Sequence, residues 1–283
     1  MSKIGIIGGS GLYQIDGLKN IKWIKVSTPF GSPSDEYLTG ALEGKEAVFL
    51  PRHGRGHRIL PSELNCRANI YGMKKLGVDR IISVSAVGSL KESIKPLDIV
   101  IPDQFVDRTN MARNSTFFGD GIVAHVSFAE PVCPVLANLS CDIARGLSAN
   151  VHFGGTYLNM EGPAFSTKAE SNLYRQWGMD IIGMTNMQEA RLSREAEICY
   201  VTLAFVTDYD CWRQTVVDIK EVLGNLFKNV DLSKKIIKAL TGKIPKERKC
   251  LCASGLKDAI VTSGKLIPKE TKEKLKLIIG KYI

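Results

Sequence analysis

Two carboxylates stand two residues apart in Thr207-Asp208-Tyr209-Asp210-Cys211-Trp212, directly after an apolar run, so that both can face one side of an extended chain. Such a pair suits a purine base in the act of leaving a sugar. One group donates to N7 as negative charge gathers on the ring, and another accepts from an exocyclic amine. A carboxyl that donates at neutral pH needs a raised pKa or a shared proton, which burial supplies. The same residues also suit a plain turn, and the segment alone leaves both readings open.

The opposite chemistry, anion binding, is offered at four strand ends. Arg52-His53 follow Val48-Phe49-Leu50-Pro51 and supply a forked guanidinium and a titratable imidazole. Ser10 in Gly8-Gly9-Ser10-Gly11, Ser85 with its neighbour Ala86, and Thr185 after Gly183-Met184 add hydroxyls beside backbone amides that small residues leave accessible. Each has an ordinary alternative: a strand-ending turn at the glycines, a solvated loop at His53, Arg55 and His57. Together they predict one shared oxyanion pocket. A dinucleotide fingerprint is not present, because a G-x-G-x-x-G count begun at Gly9 meets Gln14 where the third glycine belongs.

A third element is Met160-Glu161-Gly162-Pro163-Ala164-Phe165-Ser166-Thr167. Phe165 suits stacking on a base or a place in the core. Glu161 and the Met184 backbone suit sugar hydroxyls, and Ser166-Thr167 suits a helix cap ahead of Lys168-Ala169-Glu170.

The elements that must position these groups follow from periodicity. Short β-branched runs at Lys3 to Ile7, Val48 to Leu50, Arg80 to Ser85, Ile99 to Pro102, Asp180 to Met184 and Ile198 to Val206 read as strands. A helix is expected from Ser62 to Lys75, and one or two amphipathic helices from Asp218 to Leu240. Strands alternating with helices predict an α/β fold with a central mixed sheet. No linker or repeat interrupts the chain before Trp212, so 283 residues form a single domain, with residues 213–283 a helical C-terminal part.

No stretch approaches the roughly 18 apolar residues of a membrane span, and the chain opens without a signal-peptide core, so it reads as cytoplasmic. The formal charge of +9 comes largely from lysines after Asn225, interleaved with apolar residues as on a solvated helix face. Neither nucleic acid nor membrane is an expected partner. Of seven cysteines, Cys250-Leu251-Cys252 resembles half of a zinc site, but the sequence offers no second close pair and no nearby histidine to complete it.

In order, Gly8-Gly9-Ser10-Gly11-Leu12, Arg52-His53-Gly54-Arg55, Asn65-Cys66-Arg67-Ala68-Asn69-Ile70, Ser85 to Leu90, Glu161-Gly162-Pro163, Gly183-Met184-Thr185 and Thr207 to Asp210 closely resemble the 5′-methylthioadenosine phosphorylases, of the trimer-forming branch of purine nucleoside phosphorylases. The likeness runs from about Lys3 to Trp212. It implies a nucleoside phosphorylase fold, phosphate as co-substrate, no cofactor, and a homo-oligomer of one or two trimers. It implies that Ser10, Arg52, His53, Ser85, Ala86 and Thr185 hold phosphate, that Phe165 and Met184 line the nucleoside, and that Asp208 and Asp210 face the purine. His125 resembles a residue that a neighbouring subunit lends to the 5′ end. Relatives preferring 6-oxopurines tend to carry asparagine at the place of Asp208, so a carboxylate there implies adenine. A broader or 6-oxopurine preference is the alternative. The chain departs from the family at Ala164, where arginine is common, and at Gln188, where proline is common. The cysteine pattern resembles thermophilic archaeal members, which implies one disulfide between Cys133 and Cys199 and another between Cys250 and Cys252.

Overall fold

The computed structural model describes residues 3–9, 11–213 and 219–283, so the expectation for Ser10 lies outside the described residues. The apolar runs become strands, in order β1 (Lys3–Gly8), β2 (Lys19–Ile24), β3 (Tyr37–Leu42) and β4 (Lys45–Pro51). Helix α1 (Cys66–Lys75) then leads into the long β5 (Val78–Ser89). Next come β6 (Ile99–Ile101), β7 (Gln104–Arg108), α2 (Pro134–Gly146), β8 (Val151–Phe153), β9 (Thr156–Met160) and α3 (Lys168–Gln176). The chain closes with β10 (Ile181–Gly183), α4 (Asn186–Glu195), β11 (Cys199–Asp208), α5 (Ile219–Lys243) and α6 (Lys269–Ile279).

The strands make one mixed sheet whose centre is β5. Its first half lies between β1 and β11, parallel to both. Its end turns from β1 to β10, which pairs antiparallel through Ile182 and Gly88. Strand β4 lies parallel to β1 on its outer side, bringing Pro51 opposite Gly8.

Helices cover both faces. One cluster packs Ile4, Ile6, Val201 and Leu203 against Leu136 and Ala137 of α2 and Ile236, Ile237 and Leu240 of α5. Those three α5 side chains are fully buried, and each contributes about 1.5–3 kcal/mol. The other packs Ile7, Val48 and Ile81 against Ile70 of α1, Ala190 of α4 and Leu275 of α6. The C-terminal part thus completes the core on both faces.

The expected helix from Ser62 is shorter. A 3-10 turn at Pro61–Glu63 precedes α1, which starts at Cys66 because the Asn65 side chain caps it, accepting from the Ala68 N–H at 3.1 Å. Residues 219–243 form one continuous helix of 25 residues.

The cysteine expectation is corrected. Cys133, Cys199, Cys250 and Cys252 are free thiols, and the 3.3 Å contact between the Cys199 and Cys250 sulfurs is a non-bonded one, far beyond an S–S bond of about 2.05 Å. Neither expected pair is bonded, because the fold brings all four sulfurs into one group.

Candidate active site

The site begins with a gap in the sheet. Strand β1 pairs with β5 only as far as Ser83, and β10 joins only at Gly88. Between Val84 and Val87 that edge of β5 has no partner strand among the described residues, and Ala86 is exposed although β5 is central. From Val84 to Gly88 the gap runs about 13 Å, at roughly 3.3 Å per residue.

Arg52 enters at the β1 end, its backbone N–H bonded to the Gly8 carbonyl at 2.8 Å. The side chain is 3% exposed and fully directed: Nε donates to Glu189 at 2.6 Å, Nη1 to the Val84 carbonyl at 2.8 Å, and Nη2 to Ser83 Oγ at 2.6 Å and Glu189 at 3.2 Å. One Nη1 hydrogen remains for a ligand. Ser83 Oγ also donates to Glu189 and accepts from Asn186 Nδ2, the first residue of α4. Tyr200 closes the network, donating to Glu189 at 3.0 Å.

Thr185 is the N-cap of α4, and its hydroxyl makes no cap hydrogen bond. It stands at the positive end of a helix beside the gap, with only a long contact to Asn186 Oδ1 at 3.4 Å. Ser85 is buried in the same strand edge, 6% exposed. His53 Nδ1 donates to the Ile59 carbonyl at 2.8 Å, which leaves Nε2 as an acceptor. Burial, reinforced by the Arg52 charge, pushes its pKa down to about 4, so the imidazole is neutral at pH 7. At pH 7 its Nε2 is therefore available to accept a hydrogen bond and carries no positive charge. Arg55 is held elsewhere, paired with Asp35 at 2.8 Å on the exposed side of the loop.

The carboxylates close the other end of the gap. Asp208 pairs with Gly88 across the sheet, and the absent Gly88 side chain lets the strands converge: a Cβ there would lie 3.1 Å from Asp208 Oδ1 and Ile182 Cγ2 and 3.3 Å from Asp210 Cβ. Asp208 accepts from Thr207 Oγ1 at 2.7 Å and from the Asp210 N–H at 2.8 Å. Asp210 is 6% exposed, and desolvation holds its carboxyl pKa above the usual value even though polar groups of Ser171, Cys211 and Ser166 nearby act to lower it. The turn belongs to the site, with Asp210 in the left-handed region at φ 53°.

Met184 packs so closely on Gly162 that a Cβ there would clash with its sulfur. Arg113 holds both Glu161 and Met184, the residues expected near sugar hydroxyls: Nε donates to Glu161 at 2.7 Å and Nη1 to the Met184 carbonyl at 2.6 Å. Glu161 also accepts from the N–H groups of Asn110 and Met111, so its role is to fold the loop after β7 over the site. Phe165 is 57% exposed and outside the core, while Thr167 caps α3 through a capping box with Glu170 as expected. His125 is exposed and tied through its N–H to the Ala259 carbonyl at 2.9 Å, with the C-terminal segment and not with the strands of the gap.

Sequence reasoning missed Ser83, Asn186, Glu189, Tyr200 and Arg113. A buried acid one helical turn after a strand end was the available signal at Glu189, but its partner lies 137 residues away.

Residues 3–241 match the Phosphorylase superfamily, the class that this sheet and its strand-end gap define. Across 99% of both chains, the protein is 59% identical to S-methyl-5′-thioadenosine phosphorylase of Geobacter sulfurreducens. It is 57% identical to that of Koribacter versatilis, over 99% of this chain and 97% of the relative. A crystal structure of methylthioadenosine phosphorylase from an antarctic soil metagenomic library superposes with TM-score 0.94 at 49% identity, covering 98% of each chain. Methylthioadenosine phosphorylase from Schistosoma mansoni in complex with adenine superposes with TM-score 0.81 at 33% identity, over 99% of this chain and 98% of that one. The chain belongs to the Phosphorylase superfamily and, within it, to the S-methyl-5′-thioadenosine phosphorylases. These curated relatives are bacterial, so the archaeal likeness suggested by the cysteines is not supported.

Proposed function

We propose that the protein cleaves S-methyl-5′-thioadenosine with phosphate, releasing adenine and 5-methylthioribose 1-phosphate, and that adenosine is a second substrate. What supports this most is the Val84–Val87 gap, with anion donors at one end and two carboxyls at the other. Phosphate sits at the Arg52 end, taking the free Arg52 N–H, the Thr185 and Ser85 hydroxyls and the Ala86 backbone, with Ser10 from the glycine turn. Neutral His53 accepts from its protonated oxygen. The sugar lies over Met184, and Phe165 flanks the base.

A phosphate oxygen attacks C1′ as the C1′–N9 bond breaks, and the bond pair moves onto the purine. Asp208 delivers a proton at N7, so adenine leaves neutral, and Asp210, whose charge burial disfavours, stands beside it. Fixed donors neutralise the anion, so neither an organic cofactor nor a catalytic metal is required. The enzyme acts as a cytoplasmic homo-oligomer, a trimer or a pair of trimers, in which His125 of a neighbouring copy reaches the 5′ end.

Asp208→Asn replaces an acceptor with a donor for the 6-position. The kcat/KM ratio of adenosine to inosine is expected to fall about tenfold or more. An unmoved ratio removes the account of base selection and favours a broader purine preference. Adenine release without added phosphate would refute phosphorolysis itself.

A further inference from the structure

The cluster of Cys133, Cys199, Cys250 and Cys252 lies apart from the phosphorolytic residues, and all four sulfurs fall within 4.8 Å of one another. We propose that these four thiolates bind one zinc ion, which clamps the C-terminal segment to the body of the fold. Four sulfurs at about 2.3 Å from a tetrahedral zinc stand about 3.8 Å apart. The observed group therefore needs only small side-chain adjustments to close on a metal.

The local structure of each ligand suits this. Cys133 is the N-cap of the 13-residue helix α2, where its sulfur faces those of Cys199, Cys250 and Cys252 at the end of a helix that favours a thiolate. Its own N–H is fixed to the Tyr200 carbonyl at 2.8 Å, one residue beyond Cys199, which holds the first two ligands in register. Cys250 is extended at φ −114° and ψ 160° and enters the 3-10 turn Leu251–Ser254. That switch turns the sulfurs of Cys250 and Cys252 toward the same point. Cys133, Cys199 and Cys252 are each at most 5% exposed, so the set is closed to a fifth ligand, as in structural zinc sites. A soft, all-sulfur tetrahedral set selects zinc over oxygen-seeking cations. Binding converts four thiols and Zn²⁺ to a tetrathiolate complex and releases four protons, with no change of oxidation state.

The clamp has a structural consequence. Residues just beyond Cys252 carry the Ala259 and Ile260 backbone that bridges Ala124 and His125. Zinc fixes this end of the chain against α2 and β11 independently of whether the proposed reaction is correct.

The test uses full-length protein purified under reducing conditions. Elemental analysis is expected to find one zinc per chain, also in Cys141→Ala, and close to none in Cys250→Ser/Cys252→Ser. Stripping zinc is expected to lower Tm by about 5 °C or more, and zinc alone to restore it. Since the double variant can fail to fold, the wild-type chain refolded with Co²⁺ gives a second readout: intense sulfur-to-cobalt charge-transfer absorption with the visible bands of a tetrahedral site. Three results overturn the proposal: no zinc after reconstitution, iron in its place, or fewer than the seven thiols of the sequence in unreduced, denatured, metal-free protein, which would mean disulfides.

Discussion

Glu189 receives two nitrogens of Arg52, the Ser83 hydroxyl and the Tyr200 hydroxyl, so it decides where the guanidinium points. Both members of this ion pair are nearly inaccessible, with side chains 4% and 2% exposed. Removing one charge leaves the other buried and uncompensated. Glu189→Gln is expected to destabilise the fold by about 3–5 kcal/mol in chemical denaturation and to raise the KM for phosphate, with the nucleoside KM less affected. An unchanged phosphate KM in folded variant would remove Arg52 from the anion site. Glu195 gives a pH signature of its own. Burial pushes its pKa from 4.5 up to about 7, against hydrogen bonds from the Phe117 N–H and the Thr116 hydroxyl. The folded state holds this proton more tightly than the unfolded chain, so its contribution favours folding at low pH and fades as pH rises from about 4.5 to about 7. His53, depressed to about 4, acts in the opposite sense: the unfolded chain takes up its proton first, and stability falls as pH drops below about 6.5. The difference in Tm between wild type and Glu195→Gln is therefore expected to move in favour of the variant between pH 4.5 and 7, and to level off above that. A pH-independent difference would show that folding does not shift the Glu195 pKa.

Strand β5 is the element that makes a site out of separate loops. It exchanges β1 for β10 along its length, and the four residues between the two pairings border the gap. Gly88 is the point at which the exchange becomes tight. Gly88→Ala places a methyl group at 3.1 Å from both Asp208 and Ile182, so the carboxylates or β10 must shift by some tenths of an ångström. Displacement on that scale is expected to cost at least about tenfold in kcat/KM, with a smaller loss of stability. Activity within twofold of wild type would mean that the carboxylates need no such close placement. Helix α1 shows the converse. Its Asn65-Cys66-Arg67-Ala68-Asn69 block carries the family likeness, yet its contacts are structural: Asn65 caps the helix and Asn69 accepts from the Ser34 N–H at 2.8 Å.

At the scale of the whole molecule, the C-terminal part joins both core clusters and also positions His125 through Ala259. An exposed histidine on that margin contributes to the 5′ end only if another copy supplies it. His125→Ala is expected to raise the nucleoside KM while leaving Tm nearly unchanged. Mixed oligomers provide a sharper check. Unfolding and refolding Asp208→Asn together with His125→Ala is expected to give more activity on methylthioadenosine than either variant alone, because some sites then combine an intact Asp208 with an intact His125. No gain would place both residues in one subunit's site, or His125 outside it.

Strand ends followed by glycine, hydroxyl or charge were readable in the sequence because those features are local: apolar period, turn chemistry and residue type. They were enough for the α/β class, for Arg52, His53 and Thr185 just after strand ends, and for the Asp208–Asp210 turn, whereas Ser85 and Ala86, expected at a strand end, lie inside β5, which continues to Ser89. Tertiary structure alone decided the partners. Glu189 lies 137 residues from Arg52, and Arg113 lies 48 residues from Glu161, in a loop without periodicity. The cysteines make the same point. The family resemblance implied two pairs, whereas the meeting of α2, β11 and the segment after α5 made one group of four. Sequence spacing records which residues are neighbours in the chain, and long-range packing determines which of them share a volume of space.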